Sequence, residues 1–390
     1  MQIPKRLLSI DALRSLTMFL MIFVNDASGV KHIPEWIDHA KADADAMGFA
    51  DTIFPAFLFI VGLSLQFAIK SRIKKGDSTK QLLLYVITRG FALLVMGFYH
   101  VNLESYNRSV SLIPKAAWAL IITVAFFLIW LDYPEKMKKI VRYALVAAGV
   151  LLLVLMAIIY KGGEGTDVHW MRPSWWGILG IIGWSYLTCA LIYVLSRGNM
   201  KWLTVFYALF VALNIICHTI VPKGKLWIIG DGSSVALVMG GVIISRVFTY
   251  LNDAGKTTRL WAVLAVTGVL FIVAGLLIRP YAEGISKIRS TPAWVFICGG
   301  ITILVFELMI YLMDVKGYRN LLKWISPAGT STLTCYLLPY FQVFLLMLFN
   351  IKYPPVINSG LPGLLRSILT SFILIQIAGW MEKRHLRLKI

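Results

Sequence analysis

The sequence predicts an all-α polytopic membrane protein with about twelve transmembrane helices and both termini in the cytoplasm. Three observations predict it. Hydrophobic residues make up 58% of the 390 and charged residues only 15%, with a mean hydropathy of +0.76, which leaves no room for a large soluble domain. Apolar runs long enough to cross about 30 Å of hydrocarbon recur along the whole chain, and in lipid each must satisfy its backbone internally as a helix. Lys and Arg gather in alternate connections, as they do in loops retained on the cytoplasmic side.

The first span, 7–28, follows Lys5 and Arg6 and carries Asp11 and Arg14, three residues apart and so on one helical face. Its basic start imitates a secretory signal. The charges inside the apolar run, and the lack of a small-residue cleavage site before Asp26, are expected to keep it as a helix. Span 52–70 ends in the basic run Lys70, Arg72, Lys74, Lys75 and Lys80. Span 83–101 holds Arg89 about two turns in, too deep for easy snorkelling, so its guanidinium is expected to face the bundle interior and to want a carboxylate or phosphate. Spans 113–131 and 140–160 flank Lys136, Lys138, Lys139 and Arg142. Spans 174–195 and 202–221 are joined by Ser196–Lys201, too short for a linker between two six-helix halves. Spans 230–250 and 260–279 meet across Arg246, Lys256 and Arg259, and 293–313 is followed by Lys316, Arg319 and Lys323. Spans 331–349 and 363–383 complete the set, closed by Lys383, Arg384, Arg387 and Lys389. Asp231 and Glu307 are further charges at or inside spans, where each is either a ligand group or a packing partner.

The formal net charge of +19 follows from this alternation and from contact with anionic lipid, so it calls for no nucleic acid. The four cysteines, Cys189, Cys217, Cys298 and Cys335, fall within spans without metal-ligand spacing and read as small buried apolar residues; no metal is expected. No repeat and no Gly/Ser or Pro-rich linker divides the chain, which reads as one domain, 1–390.

The stretch 25–51 breaks the pattern. Asp26, Glu35, Asp38, Asp43, Asp45 and Asp51 lie in it against Lys31 and Lys41, together with His32 and His39, between two strongly apolar spans. By the charge alternation this loop is outside, as are His100, His169 and His218, which leaves His385 inside. A loop histidine is ordinarily just an exposed polar residue. His39 differs in its carboxylate-rich setting, which could orient the ring and stabilise an imidazolium, so it is the candidate base or nucleophile. Asn25, at the outer end of the first span, could donate to a developing oxyanion. Asp11 and Arg14 are read equally as a structural ion pair or as a functional one.

The segment SIDALRSLTMFLMIFVND, then DHA in the outer loop, then GFADTIFPAFLFIVGLSL, resembles the amino-terminal signature of the heparan-α-glucosaminide N-acetyltransferase family. The resemblance covers about residues 1–105. It implies a polytopic enzyme that takes acetyl from cytosolic acetyl-CoA and delivers it to an amino sugar or glycan on the far side of the membrane. It further implies His39 as the active-site histidine and places Asp11 and Arg14 in the first-helix motif, Asn25 at the polar end of that helix, Asp51 and Pro55 in the second-helix motif and Arg89 as the third-helix arginine. His39, Asn25 and Asp51 are thus the catalytic candidates, and Arg14 and Arg89, on the cytoplasmic side of their helices with Asp11, are the candidates to hold the CoA phosphates. Acetyl-CoA enters as a co-substrate, the expected partners are a sugar acceptor and lipid, and a homo-oligomer is compatible with the sequence. The implied location is the cytoplasmic membrane of a bacterial-type cell. The chain departs from the family at Ser111–Trp118, where Pro114 and Lys115 replace an Arg-rich run, and in TSTLTCYLLPYF, which lacks an expected histidine. Spans 174–195 and 202–221 look additional to the family core.

Two other readings fit the same composition. A secondary transporter would show about twelve helices and interior charges, although the short central connection and the acidic outer loop count against it. A non-catalytic membrane subunit of envelope-polysaccharide assembly is the third.

Overall fold

The computed structural model describes residues 7–221, 228–318 and 320–390. Lys5, Arg6 and Arg319, three members of the basic alternation, lie outside the described residues. Among the described residues the chain is helical, with isolated bridges and no named strand. The helices are α1 (Leu8–Ala27), α2 (Ala50–Lys74), α3 (Thr79–Val101), α4 (Lys115–Trp130), α5 (Lys139–Ile158), α6 (Gly177–Leu195) and α7 (Met200–Thr219). They continue as α8 (Ser233–Asp253), α9 (Thr257–Ile278), α10 (Pro292–Met309), the single turn α11 (Pro327–Thr330), α12 (Thr332–Leu348) and α13 (Gly360–Lys383). Each of the twelve long helices overlaps one of the apolar spans. Ten of them are long and apolar enough to cross a membrane, while α4 and α12, with 16 and 17 residues, are shorter. The chain is a multi-pass membrane protein.

Burial sorts the helices. α1, α2, α6, α8 and α10 are the most buried spans, whereas α5 and α9 expose Leu151, Ile158, Leu270 and Leu277 on faces suited to lipid. Small residues set the central contact: a Cβ on Gly62 of α2 would lie 1.9 Å from the Val238 carbonyl oxygen of α8, so only glycine lets the two backbones approach this closely.

The start of α1 has no side-chain cap of its own. Asp314, in the π-turn Ile310–Val315 that ends α10, accepts instead from the Leu8 and Ser9 N–H groups at 2.9 and 3.2 Å. A carboxylate from a distant helix thereby satisfies donors that the helix leaves open and complements its dipole. It fixes the end of α1 that carries Asp11 and Arg14.

Candidate active site

Asp51 sits in the first turn of α2 with its side chain only 2% exposed. Pro55, four residues on, has no N–H to give the Asp51 carbonyl, so the helix leaves that oxygen open. The Trp294 indole of α10 donates to it at 3.0 Å. The carboxylate is as firmly held: Oδ2 accepts from the Ala40 N–H at 2.9 Å and the Gly48 N–H at 3.0 Å. A Cβ at Gly48 would fall 1.8 Å from the Asp38 carbonyl oxygen, so the loop can close on Asp51 in this way only with glycine there.

The other oxygen, Oδ1, lies 2.6 Å from His39 Nδ1. This is a short, charge-assisted contact that fixes the ring and leaves Nε2 for chemistry. The loop's other carboxylates do not orient the imidazole. Asp38 accepts from the His39 backbone N–H at 2.7 Å, and Asp45 turns to Arg279 at 2.9 Å and to the Ile285 N–H at 2.6 Å. The Ile285 N–H, and then Arg279, hold the Asp45 carboxyl below the usual carboxylate range.

A third side chain completes the cluster. Lys287, from the α9–α10 connection, places Nζ 3.2 Å from His39 Nδ1 and 3.9 Å from Asp51 Oδ1. Burial pushes its pKa down, and Asp51 opposes that shift. The connection is a strap across the loop: Arg279 holds Asp45, Arg289 donates to the Ala44 carbonyl at 3.3 Å, and Glu283 holds His218 at 2.9 Å. Reading the sequence missed Lys287. Its signal was there, since Arg279, Lys287 and Arg289 make a basic connection where the alternation predicts a poor one.

Asn25 does not join this cluster. It is exposed at the end of α1, and its carbonyl accepts from Ser28 at 2.9 Å. Its neighbour Asp26 pairs with Arg366 at 2.7 Å and Ser367 at 2.6 Å. His32 meets Ser359 at 2.9 Å. Asp231 is a packing partner, bonded to Ser233 at 2.6 Å and facing His218 at 3.5 Å.

Arg14 and Arg89 face a cavity of about 1550 Å³ toward the other end of α2. Arg14 donates to Asp11 at 3.3 Å, to the Gly329 carbonyl at 3.0 Å and to Ser64 at 2.7 Å. Arg89 donates to the Tyr85 hydroxyl at 3.0 Å and lies 5.4 Å over the Tyr186 ring. Among the described residues no carboxylate pairs with Arg89. Lys70, Lys74, Arg387 and Lys389 also line the cavity, against Asp11 and Asp253. Arg387 and Lys389 are paired with Asp132 and Glu382, so Arg89, Lys70 and Lys74 supply the cationic character that would suit an anion. His39, Asp51 and Lys287 are not among its lining residues. Its deepest lining residue on α2 toward Asp51 is Phe57, six residues away or about 9 Å along the helix.

Residues 6–220, from α1 through α7, match the family described as "Domain of unknown function (DUF5009)". That stretch includes the two spans that looked additional to the family core. The human protein named heparan-alpha-glucosaminide N-acetyltransferase (Homo sapiens) is 33% identical over 100 residues, 26% of this chain and 14% of that protein. The mouse protein of the same name (Mus musculus) is 34% identical over 97 residues, 25% of this chain and 14% of that protein. The match therefore spans about one seventh of the length of these relatives.

Proposed function

The chain belongs to the DUF5009 family, matched over more than half its length, and we propose that it is a membrane acetyltransferase moving acetyl from cytosolic acetyl-CoA to an extracytoplasmic amino sugar or glycan. The observation that carries this reading is that α2 joins two chemistries. An imidazole held by a buried carboxylate at 2.6 Å stands at its start, and a basic cavity large enough for a nucleotide-bearing ligand opens beside Ser64, Lys70 and Lys74 toward its end. The similarity to the two N-acetyltransferases supports it.

In this reading all twelve long helices span a bacterial-type cytoplasmic membrane as one domain, 1–390. The basic connections and both termini face the cytoplasm, and the His39 loop faces out. Acetyl-CoA, when bound, supplies the acyl group as a thioester. Arg14 and Arg89 hold its phosphates: Arg89 has no carboxylate partner among the described residues, and Asp11 orients Arg14. Its acyl-bearing arm passes Phe57 to reach His39. There Nε2 takes the proton from the acceptor amine as nitrogen bonds to the acyl carbon and the carbon–sulfur bond breaks, then returns a proton to the sulfur. Asp51 keeps the ring in the tautomer with Nε2 bare.

Heating the purified protein with and without acetyl-CoA tests the donor, since a ligand that binds the native state raises its melting temperature. Acetyl-CoA should protect both wild type and His39→Ala, and only wild type should acetylate glucosamine. Absence of protection, or transfer retained by His39→Ala, would remove this function.

A further inference from the structure

We propose that Lys287 is a positioning residue whose charge keeps the His39 imidazole neutral beside the Asp51 carboxylate. The inference deepens the reading of His39 as a base and rests on it. His39 Nδ1 has one hydrogen-bonding position and two neighbours, Asp51 Oδ1 at 2.6 Å and Lys287 Nζ at 3.2 Å. A carboxylate only accepts and an ammonium only donates, so the two cannot both bond the same nitrogen. The shorter contact places the proton on Nδ1, directed at Asp51, and leaves Nε2 as the basic nitrogen.

That arrangement alone carries a penalty for a base. A buried carboxylate at this distance stabilises the doubly protonated ring, and a ring already charged at neutral pH accepts no proton from an acceptor. Lys287 supplies the opposing charge, 3.9 Å from the same carboxylate oxygen. Its ammonium repels an imidazolium at 3.2 Å and shares the Asp51 charge, so the ring gives up its extra proton at lower pH than the His39–Asp51 pair would by itself.

The remaining charges around the ring do not substitute for Lys287. On the loop itself, Asp38 is turned to the His39 backbone N–H. On the strap, Arg279 is engaged by Asp45, which stays ionised through neutral pH, and Arg289 is engaged by the Ala44 carbonyl. α10 contributes the neutral indole of Trp294, which donates to the Asp51 carbonyl. The Lys287 and His39 side chains are 28% and 30% exposed, so water screens their charges in part, whereas Asp51, at 2%, is shielded.

The test reads the imidazole directly. Diethyl pyrocarbonate acylates neutral histidine, so its rate at His39, followed by peptide mass spectrometry across pH 5 to 9, reports the neutral fraction without any need for turnover. In Lys287→Met the curve should move to higher pH by about one unit, leaving His39 up to about tenfold less reactive on the acidic limb and equal to wild type on the alkaline plateau. Lys287→Arg, which keeps the charge, should follow wild type. Lys287→Gln repeats the test if the Met variant melts early. Superimposable curves for wild type and the uncharged variants overturn the proposal, as does an Arg variant shifted as far as Met. The acidic limb of kcat/KM for acetyl transfer should move in step. A shifted modification curve in a protein that transfers no acetyl group would leave the Lys287 inference standing and remove the acetyltransferase reading.

Discussion

Asp51→Asn is the sharpest test of the proposed chemistry, because the structure dictates how the amide must sit. The Ala40 and Gly48 N–H groups both donate to Oδ2, at 2.9 and 3.0 Å, so the amide oxygen has to take that position. The NH2 is then forced into the place of Oδ1, 2.6 Å from His39 Nδ1. A donor there requires Nδ1 to be the acceptor, which moves the ring proton to Nε2 and removes the base. The carboxylate charge is lost as well. A charge-assisted hydrogen bond is worth about 1.5–3 kcal/mol. Stabilisation of an imidazolium with charge centres roughly 4 Å away comes to about 4 kcal/mol at an effective dielectric near 20. Lys287 offsets part of the second figure. About 3–4 kcal/mol in the transition state corresponds to a 10²–10³-fold fall in kcat. The assay is acetyl transfer to glucosamine, with the melting-temperature rise on acetyl-CoA as control. That rise should be unchanged, because Asp51 does not line the donor cavity. A loss of less than about threefold with intact donor protection would refute the tautomer argument.

Two further outcomes test the other half of the site. Arg89→Ala should raise the KM for acetyl-CoA at least tenfold while leaving the KM for a short acetyl thioester within about twofold, since a single phosphate contact to a guanidinium is worth about 1.5–3 kcal/mol. Arg89→Lys should recover only part of the difference, for want of a bidentate fork; equal effects on both donors would remove Arg89 from the donor site. For topology, Lys41→Cys should react with an impermeant thiol reagent from outside intact cells and Lys75→Cys should not, against the background of four native cysteines that are buried. Labelling of both from one side would overturn the cross-membrane reading.

Hydropathy and charge alternation were enough to locate every long helix, because lipid leaves a spanning segment almost no alternative to a helix. The acidic loop was legible for the same reason, as a local excess in a chain otherwise poor in acid. His39 and Asp51 could be named from their own segment, but the carboxylate that orients the ring is twelve residues on, and the near neighbours Asp38 and Asp45 are spent on backbone and strap. Lys287 and Trp294 come from more than 240 residues away along the chain. No periodicity links a loop to a strap at that separation. Arg89 shows the opposite limit: its depth in α3 was readable, but the Tyr85 hydroxyl and the Tyr186 ring that flank it were not. A guanidinium can be accommodated by aromatic faces that hydropathy counts as apolar.

The run from Asp51 to Pro55 acquires a physical reason from this geometry. A proline four residues after the acid removes the N–H that would claim the Asp51 carbonyl, and a buried open carbonyl costs about 1–3 kcal/mol unless something else donates to it. Trp294 donates at 3.0 Å, so α10 is tied to the residue that orients His39. The same α10 is preceded by the strap that delivers Lys287 and is followed by the π-turn whose Asp314 caps α1 above Arg14. One helix therefore registers the imidazole at one end of the bundle and the guanidinium helix at the other. A motif that looks like a local sequence signature in α2 is thus half of a long-range contact, and its partner Trp294 lies beyond the 6–220 family match.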